Sequence, residues 1–156
     1  MDAIEAIQRR TSVRRYRQEP VPRETVERLL DCAVRAPNHK LTEPWAFAVL
    51  TGEAIAKLAE IRGRHRLKRY DDPGTEEARA AMEKARRETM ETPAVIVIMT
   101  RAVDDEIRRE EDYASVMMAT ANLMTAAQSL GLGTYLKTGG VMQDPALAEL
   151  VGLPNG

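Results

Sequence analysis

Cysteine occurs once in this 156-residue chain, at Cys32. A lone thiol excludes an intrachain disulfide and points to a reducing, cytoplasmic setting. Histidine occurs only at positions 39 and 65. His39, His65 and Cys32 make no metal-ligand spacing, so no metal site is expected. Aromatic residues are 4% of the chain, and 23 Lys and Arg nearly balance 24 Asp and Glu. A dedicated nucleic-acid or membrane-surface binder needs a basic excess, and a nucleic-acid groove also needs interleaved aromatics, so neither class is expected. Apolar runs such as Ala94–Met99 are too short to cross a bilayer. The opening Met1-Asp2-Ala3-Ile4-Glu5 lacks the basic-then-apolar order of a secretory leader. No G-x-S-x-G elbow or P-loop is present. Gly131-Leu132-Gly133 is not a dinucleotide fingerprint, because Leu136 stands where the third glycine belongs and the order is helix then strand.

What is present reads as one globular domain over 1–156. Ala3, Ile4 and Ile7 suggest a short first helix. After Pro20-Val21-Pro22, the residues Val26, Leu29, Leu30, Ala33 and Val34 follow helical spacing, which predicts a helix over 22–35. Pro37 disfavours helix at Ala36. Residues 45–50 read as a strand and 53–67 as a helix. Asp71-Asp72-Pro73-Gly74 reads as a turn. The highly charged 75–91, capped by Thr75, reads as a surface helix with a thin apolar stripe. Ala94–Met99 is the clearest strand, and its unbroken apolarity predicts cover on both faces. A long Ala- and Met-rich helix is predicted over 111–130, ended by Gly131. Apolar residues lie nearly all around it, which suggests a subunit interface. Gly133–Thr138 reads as a third strand, and Asp144-Pro145 opens a last short helix. The sum is an α/β or α+β domain with at least three strands.

Two segments carry candidate chemistry. The first is Arg9-Arg10-Thr11-Ser12-Val13-Arg14-Arg15-Tyr16, with four guanidiniums and two hydroxyls in eight residues. Arginine forks and small hydroxyls suit a phosphate. The same cluster also reads as a solvated basic edge beside a turn. The second is the loop from Arg35 through Pro37, Asn38 and His39 to Pro44-Trp45, which joins a helix to a strand. There, the plain reading is two prolines bracketing a turn while Trp45 fills the core, and both readings can hold together, with Trp45 packed while Arg35 and His39 point elsewhere.

Taken in order, these segments resemble the FMN-dependent nitroreductase family, close to its short NAD(P)H nitroreductase subfamily. Arg10–Tyr16 resembles the opening R-x-S-[VI]-R-x-[FY] signature. Arg35-Ala36-Pro37-Asn38-His39 with Glu43-Pro44-Trp45 resembles the R-A-P-[DN]-H-x-x-x-[QE]-P-W loop. The Ala/Met-rich helix ending in Gly131-Leu132-Gly133 resembles the central helix and its exit. Leu136-Lys137-Thr138-Gly139 sits where the family's strand end meets the flavin.

The resemblance implies a mostly antiparallel central sheet flanked by helices. It also implies a homodimer with FMN at the subunit interface. Arg10, Thr11 and Ser12 are then expected at the FMN phosphate and ribityl end, and Arg14 near the pyrimidine side. Arg35 and His39 are expected to reach the partner's FMN. Leu136, Lys137 and Thr138 are expected along the isoalloxazine, with the Thr138 N–H facing N5. The implied activity passes hydride from NADH or NADPH through flavin N5 to a nitroaromatic or quinone, with no side chain needed as an acid–base catalyst. Dehalogenation or dehydrogenation on the same flavin, or a non-enzymatic anion-binding module, are the alternatives. Glu43 stands where many members carry Gln. Members normally continue past the equivalent of Gly156 with an apolar strand and an arm that crosses to the partner, so the expectation is that this record is incomplete.

Overall fold

A computed structural model describes residues 1–153. In chain order the elements are α1 (Ala3–Arg9), α2 (Arg23–Ala33), a 3-10 turn (His39–Leu41), β1 (Trp45–Leu50), α3 (Glu53–Leu67), α4 (Glu76–Met90), β2 (Val95–Thr100), α5 (Glu106–Ser129), a second 3-10 turn (Gly140–Gln143) and α6 (Pro145–Leu150). The chain forms two compact units. The first comprises 1–14, 21–48 and 96–136, and the second comprises 15–20, 49–95 and the chain from Lys137 onward.

In the first unit, α2 buries Val26, Leu29 and Ala33 along one stripe. Helix α5 buries Val116, Ala119, Leu123 and Ala127, again at three- and four-residue spacing. Leu29, Ala33, Ala36, Ala119, Leu123 and Ala127 form one core cluster. The alanines let the two helices approach closely. Trp45, Phe47 and Ile96 of the sheet pack against this cluster. The strands pair as one two-stranded sheet. The Arg101 N–H, just past β2, donates to the Pro44 carbonyl, just before β1, at 2.9 Å. Joining the end of one strand to the start of the other makes the pair antiparallel.

In the second unit, α3 is contacted by α4, α6 and the second 3-10 turn. That arrangement explains why its buried residues, Ile55, Leu58, Ala59, Ile61 and Gly63, do not fall on a single stripe. Gly63 marks the close approach of α4, since a Cβ there would lie 2.7 Å from Arg86 Cγ. Arg86 bridges to Glu60 and Glu83.

Three sequence expectations need correction. Helix α5 begins at Glu106 rather than near 111, because Asp105 caps it by accepting from the Arg108 N–H at 2.7 Å. Its first turns are polar, so apolar periodicity is silent there. Gly133–Thr138 forms no ladder. It makes one isolated parallel bridge, Ser12 to Thr134, because only residues 12–13 pair with it. Strand β2 is not covered on both faces: Val95–Met99 are all only half-buried. In a two-stranded sheet each strand is also an edge, which leaves it open to solvent.

Candidate functional site

Helix α1 stops at Arg9, and Arg10 is already extended, with φ −62° and ψ 120°. Arg9 is drawn back along the helix to Glu5 at 2.8 Å. Arg10 is half-buried, unlike the exposed Arg14 and Arg15. Its Nη1 is buried and makes no hydrogen bond. A buried donor without an acceptor is costly, so it marks a place where an acceptor belongs.

Beyond Arg10 the chain runs beside the segment that follows α5. The Val13 N–H donates to the Thr134 carbonyl at 2.9 Å. This register depends on Gly133, where a Cβ would sit 2.8 Å from Val13 Cγ2. Arg14 lies over the Tyr135 ring, 5.7 Å from its centroid, a cation–π geometry that holds both side chains. The exposed Thr11 and Ser12 hydroxyls have no hydrogen-bond partner among the described residues. Arg10, Thr11, Ser12, Arg14 and Leu136 thus belong to one unit, on two strips of chain joined at Ser12 and Thr134. Lys137 and Thr138 follow directly in sequence but belong to the second unit, and both are exposed.

Arg35 and His39 are exposed on the loop between α2 and β1. No hydrogen bond or ion pair joins either side chain to residues 10–14 among the described residues. The loop itself is tightly specified. Lys40, Leu41 and Glu43 all have positive φ, at 54°, 53° and 44°. Such backbone is disfavoured for side-chain-bearing residues and persists only where surrounding contacts impose it. Two contacts do so. The Glu43 N–H donates to Asn38 Oδ1 at 2.9 Å. Thr42 Oγ1 donates to Asp112 Oδ1, also at 2.9 Å, and Asp112 on α5 is only 3% exposed.

Asp112 is a residue that motif reading missed. A signal for it existed: it lies four residues before Val116, on the same buried face as Ala119, Leu123 and Ala127. A carboxylate on an apolar stripe calls for a dedicated partner.

An antiparallel pair of strands packed on helices, with an unsatisfied arginine beside two free hydroxyls, describes an α+β protein with a local anion site. The nitroreductase family model matches residues 7–156. "Putative NAD(P)H nitroreductase YfhC" of Bacillus subtilis is 27% identical over 94% of this chain and 74% of its own length. "Putative NAD(P)H nitroreductase YdjA" of Escherichia coli is 28% identical over 97% of this chain and 80% of its own length. The crystal structure of a nitroreductase-like family protein from Bacillus cereus superposes with a TM-score of 0.83 at 32% identity, covering all of this chain and 80% of that one. The chain belongs to the nitroreductase family.

Proposed function

We propose that this protein is an FMN-dependent NAD(P)H oxidoreductase that works as a homodimer and reduces nitroaromatic or quinone-like acceptors. The observation that carries the reading is the buried, unpartnered Nη1 of Arg10 at the start of the family's opening signature. A phosphate dianion is the acceptor that this donor lacks, and the Thr11 and Ser12 hydroxyls stand beside it in sequence to complete the cradle. The residues present therefore fit the group.

In this reading Arg10, Thr11 and Ser12 hold the FMN phosphate and ribityl chain. Arg14, steadied by Tyr135, supplies positive charge near the pyrimidine side. Leu136, Lys137 and Thr138 line the ring, with the Thr138 N–H as a donor to it. Arg35 and His39, exposed on the loop between α2 and β1, serve the FMN of the partner subunit. Bound FMN supplies hydride acceptance and donation between a reduced nicotinamide and the acceptor; the protein supplies position and electrostatics. No side chain is assigned as an acid or base, and protons come from solvent.

The absorbance spectrum of the purified protein tests this reading. The expected result is an oxidised-flavin spectrum that bleaches on anaerobic addition of NADPH or NADH and returns with a quinone or nitroaromatic. A colourless protein that takes up no added FMN would overturn it.

A further inference from the structure

The second unit holds a cleft of about 280 Å³ whose charge is out of keeping with the rest of the chain. The whole protein has a formal charge of −1. The cleft lining carries Arg62, Arg66, Arg69 and Lys84, with Glu88 the only carboxylate among the described residues. The cause is helical spacing. Arg62, Arg66 and Arg69 lie at i, i+4 and i+7, one face of α3 continued into the turn after it. Lys84 and Glu88 are four apart on α4. Segment 138–141 forms the remaining wall.

The floor is ordered. Arg62 donates to Thr89 Oγ1 at 2.8 Å, and Thr89, 1% exposed, donates in turn to the Ala85 carbonyl at 2.8 Å. His65 is pressed against the far wall, where a Cβ on Gly140 would lie 3.2 Å from its ring. Its Nδ1 is buried without a hydrogen bond. At the mouth, Arg66 and Arg69 are exposed. Arg66, Arg69 and Lys84 have no ion-pair or hydrogen-bond partner for their side chains among the described residues. Four cations facing one carboxylate leave an excess of like charge that repels itself. An anion removes that repulsion, and guanidiniums grip phosphate in bidentate fashion.

We propose that this cleft is the phosphate subsite for the reduced nicotinamide dinucleotide. The assignment rests on the flavin reading above in one respect: Thr138, placed there beside the flavin ring, also lines the cleft. The donor must therefore pass this wall. The cleft, at about 280 Å³, is at the small end of complete ligand sites, about 300–1,000 Å³, which suits the phosphate end of a dinucleotide whose remainder lies outside it. The phosphate engaged is either the pyrophosphate, common to NADH and NADPH, or the 2′-phosphate of NADPH alone.

Two measurements on the full chain test the proposal. The first compares steady-state KM for NADPH and NADH in FMN-loaded wild type and in the double variant Arg66→Ala/Arg69→Ala. Both side chains are exposed, so the fold is expected to be retained, with an unchanged circular dichroism spectrum. A rise of about tenfold or more in KM for NADPH alone identifies the 2′-phosphate, and an equal rise for both donors identifies the pyrophosphate. An unchanged KM for both overturns the proposal.

The second measurement needs no flavin chemistry. Calorimetric titration with 2′,5′-ADP, ADP-ribose and inorganic phosphate is expected to show a nucleotide bound about tenfold more weakly by the double variant and by Lys84→Ala, with inorganic phosphate weaker still. Equal binding by variants and wild type, no binding at all, or inorganic phosphate bound as tightly as the nucleotides overturns the subsite. Nucleotide binding that needs these residues, in a protein that neither holds FMN nor turns over, would support the cleft and sink the flavin reading instead.

Discussion

Arg10 and Asp112 show two ways in which a buried polar group constrains its surroundings. Arg10 Nη1 is short of an acceptor that the protein does not itself provide. Arg10→Ala is expected to weaken FMN binding by about 10–100-fold, the equivalent of one charge-assisted hydrogen bond of about 1.5–3 kcal/mol. Flavin fluorescence titration measures this, and an unchanged far-ultraviolet spectrum shows that the fold survives. Unaltered FMN affinity would remove Arg10 from the phosphate cradle. Salt-sensitive binding of an acidic partner by a flavin-free protein would favour the docking alternative for this cluster. Asp112, by contrast, has one oxygen, Oδ1, satisfied within the chain by the Thr42 hydroxyl, while its Oδ2 is buried without a hydrogen bond. Thr42→Val leaves that carboxylate buried beside a methyl group, with Arg108 Nε 3.9 Å away as its remaining neighbour. A loss of about 1–3 kcal/mol in urea denaturation is expected, with Thr42→Ser close to wild type. The arginine cluster was legible as an anion site from residue types alone. The motif resemblance singled out Arg10, but that its Nη1 is buried without an acceptor, that Arg9 pairs with Glu5 and that Arg14 stacks on Tyr135 depend on atoms brought together by folding.

Helices were the most legible elements, since α2 and α5 carry their burial as periodic spacing. Caps set their limits. Asp105, Thr75 and Asp144 each accept from a backbone N–H in the first turn, and Gly131, with φ 77°, closes α5. Asp144 illustrates the energetics of a cap. The Ala146 N–H, first, and Lys68, at 3.4 Å, hold its carboxyl below the usual aspartate range. A depressed pKa contributes stability that is fully present above the unfolded value, about 3.9, and is lost as pH falls through the folded value. Asp144→Ala should therefore cost about 1 kcal/mol near neutrality. The gap between variant and wild type should narrow as pH is lowered below about 4. Thermal unfolding at stepped pH checks this, and a gap independent of pH would contradict it. Extended segments were less legible. A strand needs a partner, and the pattern at 133–138 could not show that only residues 12–13 pair with it.

At the scale of the whole molecule, apolar surface remains uncovered on the first unit. Ile4 and Ile7 on α1 are 69% and 64% exposed, and Ile107, Tyr113 and Met118 on α5 are 71%, 56% and 41% exposed. Exposed apolar side chains in this number on two contacting helices are surface that the proposed homodimer would cover. Light scattering is expected to give twice the 17.4 kDa of one chain, and charged substitutions at Ile7 and Met118 are expected to give the single-chain mass with loss of FMN. A wild-type monomer that retains FMN would contradict the shared site. Among the described residues no helix is long and apolar enough to cross a membrane. By itself the sequence determined the helices, the two strands as extended segments, and the family, because helical periodicity, caps and short ordered motifs are properties of neighbouring residues. Only the tertiary structure decided that a nitrogen of Arg10 is buried without an acceptor, which carboxylate pins the strained loop, and that Arg62, Arg66 and Lys84 on two helices share one cleft with Arg69 of the turn between them. Those depend on distances between residues remote in the chain, which packing sets and local pattern does not encode.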